Sequence, residues 1–290
     1  MVAMTTSGTV PENLQVLFAA MDATRTEREE LYTWFHQHPE LSMQEERTAA
    51  RVEEELRAYG CEVISLAGTG RVGIVHNGDG PTVLFRADMD ALPIAEDSGL
   101  EYAVAKECGL MHACGHDFHT ACLLGASRAY TEHPEAWSGT LIALFQPGEE
   151  AGGGAQKMVD DGLADLIPQP DVALAQHVGP FAPDYAMTTR PGALMAEATT
   201  TRVVDFFTEL FGADAVYGNM APLTGSEDFP IIPHALSVPY CYWGWGGFPE
   251  MEGAPANHSP AFNPALQPTL DTGTRYAIAG IGLWLAQARD

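Results

Sequence analysis

An α/β fold is what this sequence predicts, and three observations carry the prediction. Segments with helix start and stop signals alternate with short β-rich runs. Two of those runs, Gly139 to Phe145 and Pro170 to Gln176, are continuously apolar, the pattern of strands buried on both faces. Residues able to carry chemistry gather where the β-rich runs give out, the place where open α/β sheets bind their ligands.

The elements follow in order. The stretch from Met1 to Asp22 has no basic leader region, and Gln15 interrupts its apolar run, so it reads as a short amphipathic helix. "SMQEERTAARVEEELRAYG" is a helix whose start fits a capping box, Ser42 with Glu45 three residues on, and which stops at Gly60. "RVGIVHNGDG" and "PTVLFRADMD", joined by Asn77-Gly78-Asp79-Gly80, predict a β-hairpin. "GLMHACGHDFHTACLLGA" then packs His112, Cys114, His116, Asp117 and His119 around Gly115, ahead of a buried helix. Glu149 and Glu150 follow the first apolar strand and His177 the second, while Asp88 and Asp90 close "PTVLFRADMD". His258 stands in a Pro-bounded loop, "ANHSPAFNP". The most apolar tail, Tyr276 to Ala288, falls short of the roughly 20 residues of a membrane span.

Composition narrows the function classes. The 290 residues, 46% hydrophobic and 18% charged, are those of a globular chain able to bury a core. Fourteen Lys and Arg against 39 Asp and Glu leave a net charge of −25, which repels phosphate backbones and acidic membrane surfaces; no nucleic-acid or membrane partner is expected. The five cysteines are odd in number and widely spread, which points to a reducing compartment and a cytoplasmic protein.

Cys114, His116, Glu150, His177 and His258 make five donors of mixed sulfur, nitrogen and oxygen, one more than a closed tetrahedral zinc site accepts. Two ions sharing one of the five fit better, each with three protein ligands and a common water, and Glu149 is left over as general base. Singly, each residue has a plainer reading: a buried thiol, a solvated helix start, a hydrogen-bonded core histidine, or, for Asp117, a helix cap.

In combination the motifs carry a resemblance. "FRADMDALPIAE", "MHACGHDFHTACLLGA", "FQPGEEAGGGA", "HVGP", "GSEDFP" and "NHSPAF" occur in the order of the M20 metallopeptidase family, in its amidohydrolase branch, and span nearly the whole chain. The resemblance implies a three-layer αβα sandwich on a mixed, mainly parallel sheet. It implies hydrolysis of the amide bond of N-acyl amino acids at a dinuclear centre of zinc or manganese, with cobalt or nickel as alternatives. The ligands would be Cys114, His116, Glu150, His177 and His258, with Cys114 bridging; Glu149 would shuttle the proton and Asp90 would orient the centre. Asp88, His112, Glu227 and Asp228 would support it, with Ser226 and His119 in the same class. One departure is large. The family's second domain, a lid that forms the dimer interface and supplies an oxyanion-binding histidine, is missing, the join falling near Ala196 to Thr200. The expectation is therefore residues 1–290 as a single catalytic domain, monomeric and weakened in turnover. The alternatives are a metal-binding remnant without turnover and a zinc aminopeptidase.

Overall fold

The structure, a computed structural model, describes residues 10–192, 194–221 and 226–286. The first residues of the N-terminal helix expectation, Gly225 of "GSEDFP" and the last residues of the apolar tail lie outside the described residues. Three helices open the chain: α1 (Glu12–Ala23), α2 (Arg25–Gln37) and α3 (Glu46–Ala58). The strands β1 (Glu62–Leu66), β2 (Gly70–Asn77) and β3 (Thr82–Asp88) lead to α4 (His116–Glu132), β4 (Gly139–Gln146), α5 (Gly154–Asp160) and the short α6 (Leu163–Leu166). The chain continues through β5 (Val172–Gly179), β6 (Ala186–Thr189), α7 (Glu197–Phe211), β7 (Val216–Met220), α8 (Ile231–Leu236), β8 (Tyr240–Gly246) and α9 (Leu266–Leu285).

Among the described residues the eight strands form one sheet in the order β1-β2-β4-β3-β5-β8-β6-β7. Its centre, β4-β3-β5-β8, is parallel, while β1-β2, β2-β4 and β8-β6 pair antiparallel, so the sheet is mixed as expected. Alternation along β8 shows how the two faces are covered. Trp243 packs on Phe207 of α7 and lies against Gly280 of α9, whereas Tyr240 and Tyr242, an odd number of residues away and so on the other face, meet Phe229, and Tyr240 also meets His234 of α8. The helix α4, buried over most of its length, packs beside α9 on the tryptophan side. Every residue of β4 is buried, which explains why that strand reads as continuously apolar. Among the described residues no helix is long and apolar enough to cross a membrane, and all five cysteines are free.

Two local expectations are corrected. β2 and β3 do not form a hairpin: β4 lies between them, antiparallel to β2 and parallel to β3, and the hairpin partner of β2 is β1. The Asn77 amide donates to the carbonyls of Pro134 (2.7 Å) and Trp137 (2.8 Å), which ties the turn to the chain entering β4. Nor does Ser42 cap α3. Glu40 accepts from the backbone N–H groups of Arg47 (3.2 Å) and Thr48 (2.9 Å), the donors left unpaired at that helix start, which frees Ser42 and Glu45 for contacts far along the chain.

Candidate functional site

Because β4, β3 and β5 are parallel neighbours, the segments leaving them emerge on one side of the sheet. Asp88 is the last residue of β3 and the Gly148-Glu149-Glu150 loop follows β4, but His177 lies within β5, two residues before its end rather than beyond it as expected, because the pairing with β8 carries the strand on to Gly179. α4 points its first turn at the same place. Gly115 before it has φ +85°, and a Cβ there would stand 2.2 Å from the Val178 side chain, so this approach to the strand needs glycine.

The five expected donors meet. Cys114 Sγ lies 3.4 Å from His177 Nε2 and 3.2 Å from His258 Nε2; His258 Nε2 is 3.3 Å from Glu150 Oε1, and His116 Nε2 is 3.8 Å from the same oxygen. Donors about 2.0–2.3 Å from one ion stand roughly 3.3–3.7 Å apart in a tetrahedron, so these separations suit ligands that share ions. Buried His116 Nε2 and Glu150 Oε1 have no hydrogen-bond partner, which is the condition of atoms that bind something other than protein. His258, in the left-handed region at φ 68°, is exposed at the rim; the others lie deeper. Cys114, His116 and His177 form one group of converging ligand atoms, and Cys114, Glu150 and His258 a second, so the thiol is common to both.

Around them stands a hydrogen-bonded frame. Asp90 accepts from His116 Nδ1 (3.2 Å), from the Ser42 hydroxyl (2.6 Å) and from the Glu150 backbone N–H (2.9 Å), so one carboxylate aligns two of the donors. Asp88 accepts from Arg86 (2.6 Å) and from His119 Nδ1; His119 Nε2 in turn accepts the Val178 N–H (3.0 Å), which fixes its tautomer. Arg86 also donates to Gln146 (2.9 Å) and Glu227 (3.0 Å), and Asp228 accepts from Gln146 (2.6 Å) and the Ala155 N–H (3.1 Å). Asp117 accepts the Phe118 N–H (2.9 Å) inside the first turn, with Gly115 in the cap position. Ser226 is exposed. His112 is buried and belongs to none of the converging groups among the described residues.

The field of this frame favours a cation at its centre. Burial alone would lower the His116 pKa, yet Asp88 and the bond to Asp90 hold it well above the usual histidine range. Burial works against Asp88 as an anion, and Arg86 outweighs it, keeping the carboxyl well below its ordinary value. Burial pushes the Cys114 thiol up to about 12, so a cation is what would draw it into the thiolate form. Glu149 stands 4.0 Å from His116 Nε2 and is no part of the aligned frame; burial, with the nearby Glu227 and Asp88 carboxylates, raises it to about 8.

Several residues of this architecture escape a motif reading. Arg86 carries a signal that could have revealed it, a charge within the apolar run "TVLFRAD". His36, Glu45 and Glu96 carry none, because their partners lie far along the chain.

Residues 84–279 match the peptidase family M20/M25/M40. N-acetyl-L-cysteine deacetylase of Bacillus subtilis is 43% identical over 173 residues, 58% of this chain and 40% of the relative. Hippurate hydrolase of Campylobacter jejuni is 39% identical over 174 residues, 59% of this chain and 44% of the relative. The chain thus spans about half the length, or less, of these curated relatives. In fold it is similar to a dinuclear metal binding peptidase from the M20 family of Bacillus subtilis, with a TM-score of 0.71 and 21% identity over 90% of this chain and 99% of that one.

Proposed function

The chain belongs to the peptidase family M20/M25/M40, in its amidohydrolase branch, and from that premise we propose that it is a metal-dependent hydrolase cleaving the amide bond of N-acyl amino acids. The observation that carries the reading is the pair of buried, unpartnered atoms, His116 Nε2 and Glu150 Oε1, facing each other at 3.8 Å inside a ring completed by Cys114, His177 and His258. These five residues would hold two divalent ions, zinc or manganese, or cobalt or nickel, Cys114 being the residue that belongs to both groups of converging ligand atoms. When bound, the ions supply Lewis acidity toward the scissile carbonyl and lower the pKa of the attacking water. Glu149, outside the five donors and 4.0 Å from His116 Nε2, would take a proton from the attacking water and return it to the departing nitrogen. Asp90 keeps His116 and Glu150 in register, and Asp88, clamped by Arg86, sustains the negative field beneath them.

We propose further that the chain acts as one catalytic domain without a lid. Residues 190–196 alone separate β6 from α7, and α7 begins at Glu197 where the join was expected. The crevice then opens to bulk water and lacks an oxyanion donor from a second domain, an element whose loss typically reduces turnover by about 10²–10³. That observation also favours the second reading, a metal-binding protein without turnover. Metal analysis of protein purified without added ions, followed by assay of the metal-loaded protein on a panel of N-acyl amino acids, tests both. Two ions per chain with slow release of free amino acid support the proposal; two ions with no release leave the second reading; no bound metal overturns both. Hydrolysis confined to substrates with a free α-amino group would instead identify an aminopeptidase.

A further inference from the structure

The segment from His36 to Glu45 lies before the part of the chain that matches the family, yet it touches three separate parts of the site. We infer that it is a three-point brace, in which Ser42 governs how firmly the metal ligands are held and Glu45 governs where the proton-transferring Glu149 stands. The inference rests on the proposed roles of His116, Glu150 and Glu149.

The first point is His36, at the end of α2. Its Nδ1 donates to Asp117 (2.7 Å) and its Nε2 to Glu96 (3.1 Å), so it pins the first turn of α4, one residue from His116. The second is Ser42. The chain before it pairs with the segment after Asp90 through the Leu41–Ala91 bridge and the Ala91 N–H to Glu40 carbonyl bond (2.8 Å). That pairing delivers the Ser42 hydroxyl to Asp90 Oδ2, the same oxygen that accepts the Glu150 N–H. Without Ser42, Asp90 loses a donor that fixes its rotation, and both residues aligned by Asp90 are proposed ligands. The third is Glu45, fully buried and in no ion pair among the described residues. Its Oε1 accepts the N–H groups of Met43 and Gly148 (both 2.8 Å), and its Oε2 accepts the Thr69 hydroxyl (2.6 Å). Gly148 immediately precedes Glu149. It has φ +62°, which favours glycine, and a Cβ there would stand 2.6 Å from Met43 Sδ, so brace and loop are in close contact. The Glu45 bond therefore acts on the Glu149 side of the loop, while Asp90 acts on the Glu150 side.

This division is testable because a general loss of structure would not reproduce it. Ser42→Ala, Glu45→Ala, Glu45→Gln and, as a surface control, Arg47→Ala are compared in three measurements: zinc affinity by chelator competition, the visible spectrum of the cobalt-substituted protein, and kcat and KM on an N-acyl amino acid. For Ser42→Ala the expected result is a loss of about 10–100-fold in zinc affinity, a changed cobalt spectrum, and kcat largely recovered at saturating metal. Glu45→Ala should keep zinc affinity and cobalt spectrum while kcat falls by about tenfold or more at unchanged KM. Glu45→Gln should recover most of that loss, since its amide oxygen still accepts the Gly148 N–H. Arg47→Ala should match the parent throughout, since the Arg47 side chain is exposed and the backbone N–H that Glu40 accepts is kept. Parent-like zinc affinity in Ser42→Ala, or equal losses of affinity and kcat in both alanine variants with a common fall in melting temperature, would overturn the division. If the parent hydrolyses nothing, the proposed reaction fails separately, and zinc affinity and the cobalt spectrum still decide whether Ser42 and Glu45 act on different parts of the centre.

Discussion

At the scale of single residues, Glu149 and Cys114 are expected to fail in different ways. Glu149→Gln leaves all five donors in place, so metal content should stay at the parent level while hydrolysis drops by at least about 10²-fold; loss of metal in this variant, measured by mass spectrometry, would make Glu149 a ligand. Cys114 lies within 3.4 Å of both His177 and His258, and Cys114→Ala should therefore lower metal content and melting temperature together. Cys122 provides the contrast. It is fully buried on α4 with its thiol against the Leu270 carbonyl, and Cys122→Ala should lower stability by about 1 kcal/mol with metal content unchanged. Identical metal content in the two variants would reduce Cys114 to a packing residue.

At the scale of elements, α2 and α4 are joined by a buried ion cluster with its own pH signature. Burial alone would lower the His36 pKa, but the bonds to Asp117 and Glu96 outweigh it and hold the ring at about 9, with the Tyr32 hydroxyl and the Tyr102 ring edge as its other neighbours. A folded-state pKa above the unfolded value near 6.5 means that this stabilisation is complete below about pH 6.5 and is lost as pH rises through about 9. The melting temperature of the parent should fall across that window, and His36→Gln should be less stable at pH 6 with a flatter profile; parallel profiles would show that His36 does not titrate there. What was legible at this scale follows from locality. The strands β4 and β5 announce themselves because each is buried on both sides, and Glu149 and Glu150 could be placed because they follow β4, whereas the polar Gln176-His177 pair made β5 read as ending before His177, two residues short of its true end. The Asn77–Gly80 turn was misleading because a turn sequence shows that the chain reverses or shifts and does not show which strand it meets next. Ser42 and Glu45 fit a capping box in spacing, but the spacing carries no information about Asp90 or Gly148, which lie 48 and 103 residues away.

At the scale of the whole molecule, the net charge of −25 opposes self-association, and only residues 190–196 lie between β6 and α7, the place where the proposal puts the missing lid. Light scattering should report a monomer, with kcat well below the median of about 10 per second for enzymes; a stable dimer at that rate would mean that another surface has taken over the lid's work. The layered fold was legible because helical and strand patterns alternate, whereas the strand order was not, since β8 is made late and inserts between β5 and β6. That insertion has a consequence for biogenesis. In a chain that ends before Tyr240, the β5 edge opposite β3 has no strand to pair with, and nothing links the β6-β7 pair to the rest of the sheet. His258 emerges later still, after β8 has closed the gap, and its loop is anchored by the His258 N–H to the Ala113 carbonyl (2.8 Å). A chain that ends before His258 therefore holds Cys114, His116, Glu150 and His177 but not the fifth proposed donor, so the ring around the Cys114 sulfur closes only once that loop has been added.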